Sequence, residues 1–320
     1  MSEFDLIRRY FTRPTPNTNL GVGDDAALLT VTPGMELAVS TDMLVGGTHF
    51  YLDTDPRQLG HKTLAVNLSD LAAMGAQPRW ATLSLSLPQA HDDWLQAFSE
   101  GFFALAEAHG VELIGGDTTR GPLNLSVTIM GEVPQGQALR RSGAQVGDDI
   151  WVSGALGEAA LGLAHLQQRV QLPEGARQTC LAALQQPMPR VELGLALRGI
   201  AHSAIDVSDG LLADLKHILD SSNVAAEVRY DRLPKPAFFA SASEEMDVLA
   251  QDCVLSGGDD YELCFTAPLA RREEIGVIAD LMHLPLTRIG SIVSGQGCKL
   301  RAANGSVIKI AREGYDHFAS

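Results

Sequence analysis

Apolar residues along this chain repeat with two periods, one helical and one alternating, and they predict most of its elements. Residues 57–74 place Leu64, Leu68 and Leu71 at helical spacing, with Gly75 as a stop and Pro78 beyond it. Residues 92–109 predict a second helix, with Trp94, Leu95, Phe98, Phe102 and Leu105 on one stripe and Gly110 after it. Between them Ala81, Leu83, Leu85 and Leu87 alternate with polar neighbours, a strand that Pro88 closes. Short strands are expected at 36–41, ending at Asp42, and at 111–114, with a long alternating strand at 123–133. The order β-α-β-α-β-β is an α+β, split βαβ pattern.

Pro134, Gly136 and Arg140-Arg141 interrupt the periodicity, which divides the chain into domains at 1–138 and 139–320. The second series has strands at 149–153, 204–207, 225–230, 261–266 and 287–293. Its helices fall at 158–168, 190–200, 211–220 and 270–283, while weak patterning at 232–246 and 294–312 predicts surface loops.

Charge changes the picture more than composition does. The chain carries 39 acidic against 24 basic residues, a formal net charge of −15, which argues against nucleic acid or an anionic membrane as the main partner. Residues 1–138 hold 16 acidic and 7 basic side chains, the remainder 23 and 17, so the bias is not a detachable tail. Cys180, Cys253, Cys264 and Cys298 form no Cys-x-x-Cys pair, which fits free thiols in a reducing compartment. Residues 1–11 lack an apolar signal-peptide core and no run approaches the ~20 apolar residues of a membrane span, so a cytoplasmic protein is expected.

Acids recur beside glycine, serine or threonine where strand-like runs stop: Gly23-Asp24-Asp25, Ser40-Thr41-Asp42, Ser69-Asp70, Gly115-Gly116-Asp117, Asp206-Val207-Ser208-Asp209 and Gly258-Asp259-Asp260. Clustered carboxylates repel one another, so this many at element ends call for cations between them. Oxygen ligands suit Mg²⁺, which usually also holds substrate phosphates. Each motif has a plainer reading. Asp24-Asp25 fits a loop whose acids start a strand, Asp42 fits turn chemistry, and Asp70 fits a salt bridge to Lys62. Gly115-Gly116-Asp117-Thr118-Thr119 reads equally as a glycine turn or as backbone that approaches a phosphate. Asp206-Val207-Ser208-Asp209-Gly210 opens a helix, where N–H groups can hold an anion or where Ser208 or Asp209 caps. Arg141 suits phosphate oxygens or a plain surface.

There is no Gly-x-x-x-x-Gly-Lys-Ser/Thr loop, no Gly-x-Ser-x-Gly elbow and no His-x-x-x-His pair. Gly154-Ala155-Leu156-Gly157 is only part of a dinucleotide fingerprint and reads as tight-turn geometry. Nucleophilic catalysis therefore has no support.

Together the motifs resemble the thiamine-monophosphate kinase family, within the superfamily of aminoimidazole ribonucleotide synthetase. The resemblance rests on residues 21–27, 40–42, 67–75, 115–121, 141–143, 206–210, 256–263 and 314–318, in order along nearly the whole chain. It implies a two-domain α/β (α+β) fold, a homodimer joined through the N-terminal sheets, and ATP-dependent phosphorylation of thiamine monophosphate with several Mg²⁺ ions. By motif position it implies Asp25, Ser40, Thr41, Asp42, Asp70, Asp117, Asp206 and Asp209 as metal ligands. It implies Gly116, Asp117, Arg141 and Ser208 at ATP, and His49, Asp259 and Tyr315 at the thiamine end. The family usually has Glu where Asp259 stands here. Two rivals differ in class: a superfamily ligase or maturation enzyme, for which the reactive N- or C-terminal Cys is missing, and a metal-stabilised binding protein without catalysis.

Overall fold

The computed structural model describes residues 2–241, 244–309 and 314, and its chain divides into two compact units. One comprises Met1–Leu71 with Ala76–Gly136, the other Ala72–Gly75 with Gln137–Ser320.

In the first unit a short helix α1 (Glu3–Leu6) precedes β1 (Met35–Val45), α2 (Pro56–Ala73), β2 (Gln77–Leu87), α3 (Asp92–His109), β3 (Glu112–Arg120) and β4 (Asn124–Pro134). Helix α3 forms because its apolar stripe falls every three to four residues, with Asp92 and Asp93 at the positive end of its dipole. Gly110 ends it in the left-handed conformation (φ 65°), its N–H bonded back to Ala106 and Glu107. The four strands run in the order β1-β4-β2-β3, with β2 and β3 parallel and the other pairs antiparallel. Leu59, Leu64, Leu68, Leu71, Leu95, Phe98, Phe102, Leu125 and Ile129 are buried in this unit, each 2 % exposed or less. Each such side chain contributes roughly 1.5–3 kcal/mol by leaving water.

The strands differ from expectation where site residues lie. Strand β1 runs four residues past 41, so Asp42 sits inside it, paired with Val127. Strand β3 continues through Gly115-Gly116-Asp117-Thr118-Thr119, which is therefore extended backbone along β2 rather than a glycine turn. The apolar run after Asp25 forms no strand; Leu20 and Leu28 make an isolated bridge across this loop.

In the second unit β5 (Asp149–Ser153), α4 (Glu158–Leu166), α5 (Glu174–Gln185), α6 (Val191–Ala196), β6 (Ser203–Val207), α7 (Leu211–Ser222) and β7 (Ala225–Arg229) are followed by α8 (Glu244–Gln251), β8 (Glu262–Ala267), α9 (Arg272–Met282), β9 (Leu286–Val293) and β10 (Gly297–Arg301). The six strands order as β10-β7-β9-β5-β8-β6; β10 and β7 are parallel and every other neighbouring pair is antiparallel. Ile150, Val152, Leu211, Leu215, Val228, Ile289 and Leu300 belong to its core. Helix α5 carries only two buried residues, Cys180 and Leu184, which is too thin a stripe for the periodicity to register. Helix α6 is shorter than the 190–200 expected; the segment 294–312 expected as a loop contains β10, and α8 begins at the end of the other, 232–246.

Candidate active site

Alternation along β1 divides its polar residues between two faces of the sheet. Ser40 and Asp42 point with Ala81, Val127 and Ile129 toward the helices. There the Ser40 hydroxyl donates to Asp70 Oδ2 on α2 (2.5 Å), and the Asp42 N–H donates to Asn67 Oδ1 (3.1 Å). Asn67 is 1 % exposed and its amide N–H bonds the Thr63 carbonyl one turn back, so it ties β1 to α2 at Asp42. Asp42 and Asp70 are partly exposed on otherwise buried elements.

Thr41 points to the opposite face, its hydroxyl 2.8 Å from that of Thr128. Asp117, paired with Ser84, shares that face and is exposed. The sheet thus separates the implied ligands into a set on α2 and a set on the open face. Gly116 (φ 148°) lies between them, where an added Cβ would run into the Leu83 carbonyl. Asp25 is exposed on the loop before β1, its N–H bonded to Asp24 Oδ1 (2.9 Å). His49 follows β1, and its Nδ1 accepts the Val45 N–H (2.9 Å), which leaves the proton on Nε2.

In the second unit Asp206 is buried (5 % exposed) near the end of β6, with Ser208 and Asp209 in the turn that leads to α7. The anion-binding reading of this turn does not hold for its amides. The N–H groups of Ser208, Asp209 and Gly210 all donate to Asp214 Oδ2 (3.0, 3.1 and 3.1 Å). Neither Ser208 nor Asp209 is the cap; an acid from the first turn of α7 folds back to do that work. Burial pushes the Asp214 carboxyl up to about 7, the charge of Asp209 adds to this, and the three N–H bonds oppose it. Arg141 is exposed, and its carbonyl accepts the Ser222 hydroxyl (3.3 Å).

The loop 256–261 lies directly against this turn. A Cβ on Gly210 would strike Ser256 backbone, and one on Gly258 would strike the Ser208 carbonyl. Asp259 N–H donates to Ser208 and Tyr261 N–H to Val207, both at 2.8 Å. Asp259 and Tyr261 are both left-handed (φ 68° and 51°), a conformation that costs of order 1–3 kcal/mol for a non-glycine residue. The Tyr261 hydroxyl donates to Asp259 Oδ1 (3.1 Å), and Asp260 accepts the Gly157 N–H (2.7 Å). Behind them Arg190 grips Glu262 with Nε and Nη2, while the Ser153 hydroxyl donates to the same carboxylate. Gly154 (φ 57°) is glycine because a Cβ there would overlap Glu262, in keeping with tight-turn geometry.

Tyr315 lies outside the described residues. Asn67, Asp214 and Tyr261 escaped the sequence reading, although Asn67 and Tyr261 stand within its quoted motifs. Among the described residues no three His, Cys, Asp or Glu side chains lie together so as to hold a metal ion, and no helix is long and apolar enough to cross a membrane.

Comparison with known proteins bears on what this arrangement serves. Residues 23–133 match the family model for the N-terminal domain of AIR synthase related proteins, and residues 145–303 that for the C-terminal domain. The thiamine-monophosphate kinase of Salmonella typhimurium is 47 % identical over 99 % of this chain and 98 % of its own. The crystal structure of thiamine-monophosphate kinase from Stenotrophomonas maltophilia is 52 % identical, with TM-score 0.85 over 95 % of this chain and 96 % of that one. AaThiL, complexed with AMPPCP and TMP, is 28 % identical with TM-score 0.76 over 98 % and 96 %. With both domain models matched in order and this identity sustained end to end, the chain belongs to the thiamine-monophosphate kinase family of AIR synthase related proteins.

Proposed function

We propose that the protein transfers the γ-phosphoryl group of ATP directly to the phosphate of thiamine monophosphate, yielding thiamine diphosphate and ADP. The observation that carries this reading is the oxygen-only cluster where β1 crosses α2: Ser40, Asp42, Asn67 and Asp70. It agrees with the activity named for the full-length relatives and with AMPPCP and TMP bound to AaThiL.

The acceptor needs no base. A phosphate monoester has a second pKa near 6, so its oxygen is already anionic at neutral pH. A terminal oxygen of that phosphate bonds to the γ-phosphorus as the bridging oxygen to ADP leaves, with the incoming and outgoing oxygens in line. What the chain supplies is placement and relief of anion–anion repulsion. Asp42 and Asp70 present carboxylates from rigid elements, and Ser40 and Asn67 hold them in place. Arg141 is assigned to ATP phosphate oxygens, together with the Gly116 backbone and Ser208. His49, Asp259 and Tyr315 are assigned to the thiamine end.

Mg²⁺ fits this donor set. It takes oxygen ligands, keeps several waters, and binds through one or two carboxylates plus substrate phosphates, so it does not require three acids at one point. Asp25, Ser40, Thr41, Asp42, Asp70, Asp117, Asp206 and Asp209 are the residues assigned to such ions, Thr41 through its main chain because its hydroxyl faces Thr128. When bound, the ions neutralise the charge of the triphosphate that an acidic protein otherwise repels.

A second copy is assigned to the open face of the four-stranded sheet, where β1 exposes Leu37, Val39 and Met43 at 43 %, 57 % and 54 %. The site is tested by mixing the full chain with Mg²⁺, ATP and thiamine monophosphate and analysing products. Thiamine diphosphate formed with inversion at phosphorus supports direct transfer; retention, or ATP turnover that ignores thiamine monophosphate, rejects it.

A further inference from the structure

We infer that Tyr261 is the positioning residue that sets recognition of the cationic thiazolium end of thiamine monophosphate, acting through Asp259. The inference rests on the kinase reading above and deepens it. Two non-glycine residues with positive φ only two positions apart are rare, and a tyrosine there is a clear outlier. Such a backbone persists only where its surroundings over-determine it, and they do. The amides of Asp259 and Tyr261 are both tied to carbonyls at the end of β6, Ser208 and Val207. Gly258 brings the loop into backbone contact with Ser208.

The consequence of the double left-handed turn is that side chains two residues apart meet. The Tyr261 hydroxyl then donates to Asp259 Oδ1 (3.1 Å), and the tyrosine itself is 8 % exposed, so the donor is held by packing. One fixed oxygen orients the whole planar carboxylate. The acid here is shorter than the Glu usual at this position in the family, so it has less reach of its own and depends more on that hydroxyl. A permanently cationic ring is the part of this substrate that an oriented carboxylate recognises, whereas ATP gains nothing from it.

Steady-state kinetics of the full chain test this, with thiamine monophosphate and ATP varied separately. Tyr261→Phe is expected to raise KM for thiamine monophosphate about tenfold, with kcat and KM for ATP within about twofold. Asp259→Asn raises the same KM, and the double variant adds less than about twofold to Asp259→Asn, because the two residues act as one unit. An unchanged KM for thiamine monophosphate in Tyr261→Phe, independent effects in the double variant, or an equal rise in both KM values overturns the inference. Should Tyr261→Phe not fold, NMR of the wild-type chain decides: the Tyr261 ring and Asp259 carboxyl resonances move together on adding thiamine monophosphate, and static resonances overturn it. A wild-type chain that makes no thiamine diphosphate overturns the kinase reading and this inference with it; a wild-type kinase indifferent to the Tyr261 hydroxyl overturns the inference alone.

Discussion

Asp70 is a partly exposed acid on a largely buried helix, between Ser69 and Leu71, and the proposed function assigns its carboxylate to a cation. Asp70→Asn keeps the shape and the Ser40 contact but removes the charge, and a drop in kcat of ~10²-fold or more is expected. Near-normal turnover in that variant removes Asp70 from the site. Glu132 shows the opposite case, an acid with a structural task. It is 3 % exposed; burial raises its pKa, but the Thr32 N–H and hydroxyl and the Arg79 guanidinium outweigh burial and hold it below the ordinary 4.5. A depressed carboxyl stabilises the fold above its unfolded value and loses that contribution as pH falls through its folded value. Denaturant melts of Glu132→Gln should therefore show about 1–3 kcal/mol lost near pH 7. As pH falls through the lowered folded value the variant and the wild type should converge; a constant gap at all pH values contradicts this account. The acids themselves were legible as motifs. Asp214 was not, because nothing local distinguishes an acid that caps a preceding turn from one on a solvated helix face.

Elements were legible where their pattern is self-contained. Helix α3 starts and stops as its periodicity predicts because its stripe and its glycine stop lie within the same twenty or so residues. Strand β1 was cut short for a physical reason: its alternation is inverted. Val39 and Met43 face outward while Ser40 and Asp42 face the helices, so functional acids on the covered face read as the end of a strand. Gly115-Gly116 likewise imitates a turn when its partner strand is not in view. Close approach of α2 and α3 has a sequence cause that the structure makes testable. A Cβ on Gly101 would overlap the Arg57 carbonyl, and one on Gly60 the Phe98 carbonyl. Gly101→Ala should therefore lower stability by about 1–3 kcal/mol or more despite its better helix propensity. An unchanged urea midpoint contradicts that packing.

At the scale of the whole molecule the open face of the first sheet is the feature that a single chain leaves unexplained. Its outer strand shows three large apolar side chains to solvent. Val39→Lys should turn a dimer into a monomer by sedimentation or light scattering, with the secondary structure intact; a wild-type monomer at micromolar concentration rejects this assignment. Most strands and the longer helices could be anticipated from pattern alone, with α5, α8 and β10 missed, whereas which acids share a face could not, since that depends on partners far along the chain. Strand β10 carries a different consequence. Among the described residues it is the last strand to leave the ribosome, and it joins the sheet beside β7, made some seventy residues earlier. Until it arrives, β7 offers a row of unpaired backbone groups to any passing chain. Premature termination just short of Gly297 should therefore yield not a slightly weakened enzyme but a sticky one, prone to inclusion bodies and dependent on chaperones.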